Sequence, residues 1–352
     1  MHIHGGDIYT YQNMLDFSAN INPLGIPESV VRAAAEGAAL CAAYPDTQCR
    51  ELKAALAAHE DIPAENIVCG NGAADLIFAL TLALRPKRAL LIAPGFHEYE
   101  QALRAVGCEI QYYYLREENG FRLDNAYLDA LTADFDIAFF CNPNNPTGSA
   151  IPGDFLLQVL AKCRENGIRL ILDECFNEFL DEPTNFSLKP ELTKNSHLFI
   201  LKAFTKLYAM PGLRLGYGFS ADEQLLTQLA EVSQPWSVST PAQKAGLAAL
   251  KETEYVTKAQ AMVKQERARL LAGLQELHCT TYHSMANYIF FRAEPGLTEA
   301  CRKKNILIRD CSNYVGLTEG FYRIAVKAPH ENTRLLNTLK AALTELRALR
   351  QD

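Results

Sequence analysis

The chain has 352 residues, 49% of them hydrophobic and 21% charged, which is ordinary globular composition with enough length for two domains. A net charge of −7 and a pI near 5.7 argue against nucleic acid as a main partner, while leaving room for a local basic pocket that takes a small anion. No apolar run approaches the roughly 20 residues of a membrane span, the first residues lack a signal-peptide pattern, and ten cysteines without a CxxC pair suit a reduced, cytoplasmic protein with no metal site.

Residues 7–25 read as a polar, turn-rich arm punctuated by Asn22-Pro23 and Gly25. Helical patterns follow at 27–40 and 49–59, separated by the turn Tyr44-Pro45-Asp46. From residue 66 the pattern alternates. A strand at 66–69 and a turn at 70–72 lead into a helix at 73–84. A strand at 89–92 runs through Pro94-Gly95-Phe96 into a helix ending near 106, and a strand follows at 109–115. The strand 137–141 enters the turn Asn142-Pro143-Asn144-Asn145-Pro146-Thr147-Gly148; a helix at 155–166 and a strand at 169–172 then reach Asp173. The apolar strand 198–201 leads to Thr205-Lys206, Pro211-Gly212 breaks the chain, and a second apolar run, 213–219, carries Arg214. Helices are expected near 223–231, 242–250, 254–277 and 331–349, with strands at 287–292, 306–309 and 321–326. Repeated strand–helix units predict an α/β fold: a large domain with a mainly parallel sheet flanked by helices, and a smaller α+β C-terminal domain. The expected division is an N-terminal arm and helix at 1–43 packing with the small domain, a large domain at 44–234 and a small domain at 235–352.

The polar residues at strand ends form a pattern. Lys206 lies just past an apolar strand, where open α/β sheets place their ligands; a lysine in such company loses hydration, its pKa falls, and its amine can attack a carbonyl. Gly72-Ala73-Ala74 opens a helix with residues small enough for a phosphate to approach backbone N–H groups. Phe96 can stack on a flat ring, Asn145 sits in a proline-framed turn, and Asp173 needs a partner if buried. Taken singly, each has a plainer reading: a surface lysine, a common βα turn, a core Phe, a loop Asn, a helix cap. Together and in this order they match what pyridoxal 5′-phosphate requires, with lysine for the aldehyde and aspartate to keep the ring nitrogen protonated.

NPNNPTG at 142–148, Asp173-Glu174, and Thr205-Lys206 followed by Arg214 in GLRLGY resemble fold-type I pyridoxal-phosphate enzymes, and more narrowly the histidinol-phosphate aminotransferase group. The resemblance runs from about residue 2 to the C-terminus. HGG at 4–6, LDFSANINPLG at 15–25, APGFHEY at 93–99, QPWSV at 234–238, ILIRDCSNYVGL at 306–317 and FYRIAVK at 321–327 resemble the branch of that group that decarboxylates O-phospho-L-threonine in cobalamin biosynthesis. The resemblance implies that Lys206 carries the cofactor and that Gly72, Ala73, Thr205 and Arg214 hold its phosphate. Phe96 is then the stacking ring, Asn145 contacts the ring hydroxyl, and Asp173 pairs with the ring nitrogen. Tyr44 corresponds to a tyrosine that reaches a neighbouring subunit's cofactor phosphate, which implies a homodimer with shared sites. Arg323 corresponds to the arginine that grips the substrate α-carboxylate, while His4, Gly5, Asn20, Asn145 and Arg309 correspond to substrate-contacting positions, Arg309 on the phosphate. Two departures stand out. Ala203 replaces a hydroxyl-bearing anchor of the cofactor phosphate, and Phe176, beside the cofactor, replaces the tyrosine usual in the aminotransferases, which favours decarboxylation.

Three readings follow: a decarboxylase of phosphothreonine, with phosphoserine as a rival substrate; an aminotransferase acting on histidinol phosphate or an aromatic amino acid; and a catalytically silent protein on the same scaffold. The complete set of Lys206, Asp173 and Asn145 weighs against the third. Arg309 and Arg323, fourteen residues apart on neighbouring strand-like segments, provide one guanidinium for a carboxylate and a second for a dianionic head.

Overall fold

The sheet that carries the site is built from the apolar runs between residues 67 and 220. In the computed structural model, which describes residues 4–349, the strands are β1 (Leu15–Asp16), β2 (Ile67–Gly70), β3 (Arg88–Ala93), β4 (Glu109–Tyr114), β5 (Ile137–Cys141), β6 (Arg169–Asp173), β7 (Leu198–Ala203), β8 (Gly216–Ser220), β9 (Thr280–Thr281), β10 (Tyr288–Arg292), β11 (Ile306–Leu307), β12 (Arg309–Asp310) and β13 (Phe321–Ala325). The helices are α1 (Glu28–Ala39), α2 (Arg50–Glu60), α3 (Ala73–Leu84), α4 (His97–Ala105), α5 (Ala126–Ala130), α6 (Gly153–Glu165), α7 (Phe204–Leu207), α8 (Glu223–Val232), α9 (Thr240–Ala249), α10 (Thr253–Glu276), α11 (Leu297–Arg302) and α12 (Pro329–Ala348). The outer limits of the expected first and last domains fall outside the described residues, as do the first two residues covered by the resemblance.

The large sheet has the order β2-β8-β7-β6-β5-β3-β4. It is parallel from β7 to β4, and β8 runs antiparallel to both β7 and β2. β5 is buried along its whole length, and β6 and β7 along nearly all of theirs, because helices cover both faces; this is why their sequences read as continuous apolar runs rather than alternating ones. A second, antiparallel sheet has the order β12-β13-β10-β9 and packs on its own core, which includes Leu270, Phe291, Ile324 and Leu335. Val238, Ala242, Ala245 and Ala249, on and before α9, lie instead in the core of the large sheet, as does Val30 of α1.

Three local features differ from the expected pattern. The polar arm contains β1, which pairs in parallel with β11 and so ties the N-terminal segment to the C-terminal part of the chain. The expected strand 306–309 divides at Ile308: β11 pairs with β1, while β12 pairs with β13. In the run 213–219 the strand begins only at Gly216, and Arg214 precedes it with φ 57°, a left-handed backbone that interrupts extension.

Candidate active site

Strand ends converge on one cleft of about 320 Å³. It is lined by Phe96 beyond β3, Asn145 beyond β5, Asp173 at the end of β6, and Thr205 and Lys206 in α7 immediately after β7. Arg214, Arg309 and Arg323 complete its basic side, and His4, Gly5 and Asn20 bring the N-terminal arm to its rim.

The turn at 142–148 divides its asparagines between structure and site. Asn142 is buried; its amide donates to the carbonyls of Ile151 (3.1 Å) and Phe186 (2.7 Å) and accepts from the N–H of Ile151. Asn144 donates to the carbonyl of Pro94 at 3.1 Å, locking this turn to the one that carries Phe96. Asn145 is left for the cleft, where its Oδ1 accepts from Arg323 Nη1 and from the hydroxyl of Tyr314 (3.4 Å).

Asp173 is buried and makes no ion pair within 4 Å among the described residues. Its Oδ2 accepts from the Tyr99 hydroxyl at 2.6 Å and its Oδ1 from the N–H of Cys175 at 3.0 Å. Burial nevertheless dominates and pushes its pKa above the ordinary carboxylate range. A protonated ring nitrogen would relieve that cost by supplying the missing charge. Tyr99 was not singled out by sequence reasoning beyond its place in APGFHEY. It lies in α4, stacks on Phe139 at 4.8 Å and meets Phe96 edge-on at 5.3 Å, so one side chain both holds the carboxylate and packs the stacking ring.

Lys206 is half-buried in the cleft, with Nζ 5.9 Å from the centre of the Phe176 ring. Its pKa is lowered, first by desolvation and then by the guanidinium groups of Arg323 and Arg214. The amine is thereby shifted toward the neutral, nucleophilic form.

Gly72 and Arg214 shape the end of the cleft at the N-terminus of α3. Gly72 has φ 82°, and a Cβ there would lie 2.4 Å from Arg214 Nη2. Only glycine lets this guanidinium lie against the helix N-terminus, beside Ala73 and the buried Thr205. Backbone N–H groups, a helix dipole and a guanidinium together form an anion cradle. Ala203 lines the cleft and adds no hydroxyl to it. The residues therefore fit pyridoxal 5′-phosphate on three independent counts: a cradle a Cβ would fill, a buried carboxylate without a cation, and a lysine with a lowered pKa.

The substrate side is held by backbone. Arg309 and Arg323 are direct cross-strand partners on β12 and β13, and both are buried. Arg323 donates through Nη2 to the carbonyl of Ser18 at 2.9 Å, while its buried Nε has no hydrogen-bond partner. Arg309 donates to the carbonyl of Asp310 (2.6 Å) and to Asn313 Oδ1 (2.8 Å), and lies over the Tyr314 ring. Neither makes an ion pair with a carboxylate among the described residues, and both are buried, so Arg309 is not a surface ion-pair residue. Gly5 is required by a close approach, since a Cβ there would meet the Ser18 carbonyl oxygen at 2.2 Å. Asn20 is buried with its Oδ1 unpartnered. Tyr44 is not part of this cleft. It is exposed and stacks on exposed Trp236 with ring centres 4.6 Å apart.

The fold and the site define a pyridoxal-phosphate enzyme, and the chain belongs to the aminotransferase class I and II family, which matches residues 12–341 and uses that cofactor. It is 41% identical to the threonine-phosphate decarboxylase of Salmonella typhimurium over 97% of this chain and 96% of that protein. It is 30% identical to histidinol-phosphate aminotransferase 1 of Cupriavidus pinatubonensis over 94% of this chain and 88% of that protein. Among solved structures, the histidinol-phosphate aminotransferase of Clostridium acetobutylicum is similar with a TM-score of 0.88 and 33% identity, covering 95% of this chain and 100% of that one.

Proposed function

We propose that this chain decarboxylates O-phospho-L-threonine to (R)-1-amino-2-propanol O-phosphate, a step of cobalamin biosynthesis. The observation that carries the reading is the pair Arg309 and Arg323, buried side by side across β12 and β13 without a carboxylate between them. A buried guanidinium without a counter-ion is costly, so the pair favours a ligand with two anionic groups. The greater identity to a threonine-phosphate decarboxylase than to the histidinol-phosphate aminotransferase supports the same substrate.

Pyridoxal 5′-phosphate, when bound, supplies an aldehyde that joins an amine and a ring that takes up the electron pair of a bond breaking at the amine-bearing carbon. The chain's residues do the rest. Thr205, Arg214 and the N–H groups after Gly72 would hold the cofactor phosphate, Phe96 would pack on the ring, Asn145 would contact the ring hydroxyl, and Asp173 would hold a proton on the ring nitrogen. Arg323 grips the α-carboxylate with Asn145 and Ser18 fixing its plane, and Arg309 takes the substrate phosphate. With both ends held, the carboxylate leaves as CO₂, and Lys206 Nζ donates the proton that replaces it on Cα. Phe176 beside Lys206 presents no hydroxyl there.

The same reading includes a homodimer in which Tyr44, exposed beside Trp236, reaches the partner subunit's cofactor phosphate. A fully active monomer would contradict that part. The domain division 1–43, 44–234 and 235–352 stands as a proposal, supported by the seven-stranded sheet lying within 67–220 and the four-stranded sheet within 280–325, while Val30 of α1 and the buried side chains of α9 pack with the large sheet and count against its exact boundaries. The substrate assignment is tested with Arg309→Ala. Selectivity for phosphothreonine over threonine should be lost while the absorbance of the bound cofactor is unchanged; a variant that keeps its selectivity places the phosphate elsewhere.

A further inference from the structure

Two carboxylates besides Asp173 line the cleft from the large sheet's side: Glu100, which is paired with His97 and Arg104, and Glu98, to which the chemistry above gives no role. It sits in the first turn of α4, two residues after Phe96 and next to Tyr99, so the packing that fixes the stacking ring also fixes its backbone. Its Oε1 lies 3.4 Å from Nδ1 of His4, and its Oε2 is buried without a hydrogen-bond partner. Burial raises its pKa, opposed first by His4 and then by Lys206, with Asp173 adding to the rise.

His4 reaches this carboxylate because the arm is pinned immediately after it. The Gly6 N–H donates to Ser18 Oγ at 2.7 Å, Ser18 Oγ donates to Asp16 at 2.5 Å, and Gly5 packs directly on the Ser18 carbonyl that also receives Arg323. The imidazole is therefore tethered at one end through the Arg323 segment and met at the other by α4. An imidazole that donates at both ring nitrogens is a cation. With a carboxylate on Nδ1, its Nε2–H is the donor left for a second anion.

We propose that Glu98 is a positioning residue of the substrate-phosphate subsite, holding His4 through Nδ1 so that Nε2 donates to the phosphate opposite Arg309. The inference rests on the phosphothreonine reading and adds to it a residue that does not touch the substrate. Because Oε2 has no hydrogen-bond partner, removing the carboxylate breaks no side-chain contact other than the one to His4 among the described residues.

The test is a double-mutant cycle on the holoenzyme with Glu98→Ala, His4→Ala and the pair, together with Glu98→Gln. Glu98→Ala should raise KM for phosphothreonine about tenfold and leave kcat within about threefold, as loss of a well-oriented charged donor implies. Glu98→Gln, which keeps an acceptor for Nδ1, should recover part of that loss. The double variant should be no worse than His4→Ala alone. Binding of inorganic phosphate, followed by the cofactor's absorbance, should weaken in the same order, and this readout stands even if phosphothreonine is not decarboxylated. Multiplicative effects of the two substitutions, an unchanged KM in Glu98→Ala, or a fall in kcat at constant KM would each overturn the proposal. An absence of CO₂ with normal phosphate coupling between Glu98 and His4 would instead count against the decarboxylase reading alone.

Discussion

Glu174 directly follows the site aspartate, yet its carboxylate belongs to a different cluster. It shares a buried region with Lys202, Glu60 and Glu178, and its Oε1 has no hydrogen-bond partner. Lys202 already has Glu60 at 3.2 Å and Glu178 at 2.5 Å, and Glu60 also meets Lys189 at 3.1 Å and accepts from Tyr217 at 2.8 Å. Three carboxylates thus face two lysines. Burial pushes Glu174 from its ordinary 4.5 up to about 7. Two and a half pH units at about 1.4 kcal/mol each amount to about 3 kcal/mol. The folded state binds a proton here that the unfolded state releases, so this contribution to stability is fully present below pH 4.5, declines as pH rises toward 7, and is flat above. Glu60 is lowered to about 2, so its contribution is constant above pH 4.5 and does not enter this window. Glu174→Gln removes the titration while Lys202 keeps two partners. Urea unfolding of both proteins at one fixed cofactor concentration, from pH 4.5 to 8.5, reads the difference. The variant should gain on the parent by up to about 3 kcal/mol between pH 4.5 and 7.5 and no further above. A difference that does not change with pH, or that changes in the opposite sense, would refute the reasoning.

Asp173→Asn removes the charge that keeps the ring nitrogen protonated, and turnover should fall by about 100-fold or more while thermal unfolding of the protein shifts little or upward, because the lost charge was buried. Near-normal turnover by the folded variant would remove Asp173 from the mechanism. Gly72→Ala places a Cβ against the Arg214 guanidinium and forces a non-glycine residue to φ 82°. Strain of about 1–3 kcal/mol implies cofactor affinity weaker by roughly tenfold or more, measured by equilibrium dialysis, and unchanged affinity would count against the cradle.

Much of this site was legible in the sequence because its residues occupy strand ends, and strand ends are marked by where apolar runs stop. Asp173 ends β6, Thr205-Lys206 lie in the turn of helix just after β7, and Asn145 lies in the turn that leaves β5, so reading the runs located them. Arg309 and Arg323 were assigned to neighbouring segments, and they are opposed in register. Contacts that join distant parts of the chain through side chains were not legible. Tyr99 bonds Asp173 across 74 residues, and Lys202 reaches Glu60 across 142; neither spacing leaves a periodic trace. β1 is only two residues long and lies in a polar arm, so only its pairing with β11 reveals it, whereas β11 falls within the strand expected at 306–309. The resemblance, not periodicity, marked His4 and Gly5. The close packing of Gly5 on Ser18 gives a physical reason for a glycine there.

The central claim is that the carboxylate, not the α-proton, leaves the substrate. Incubating the holoenzyme with O-phospho-L-threonine labelled with ¹³C at the carboxyl carbon, with and without 2-oxoglutarate, and following the label by NMR tests it directly. The label should move into CO₂ and bicarbonate at the same rate in both samples, with 1-amino-2-propanol O-phosphate as the other product and no glutamate. Retention of the label in a 2-oxo acid, with glutamate formed only when 2-oxoglutarate is present, would contradict the account.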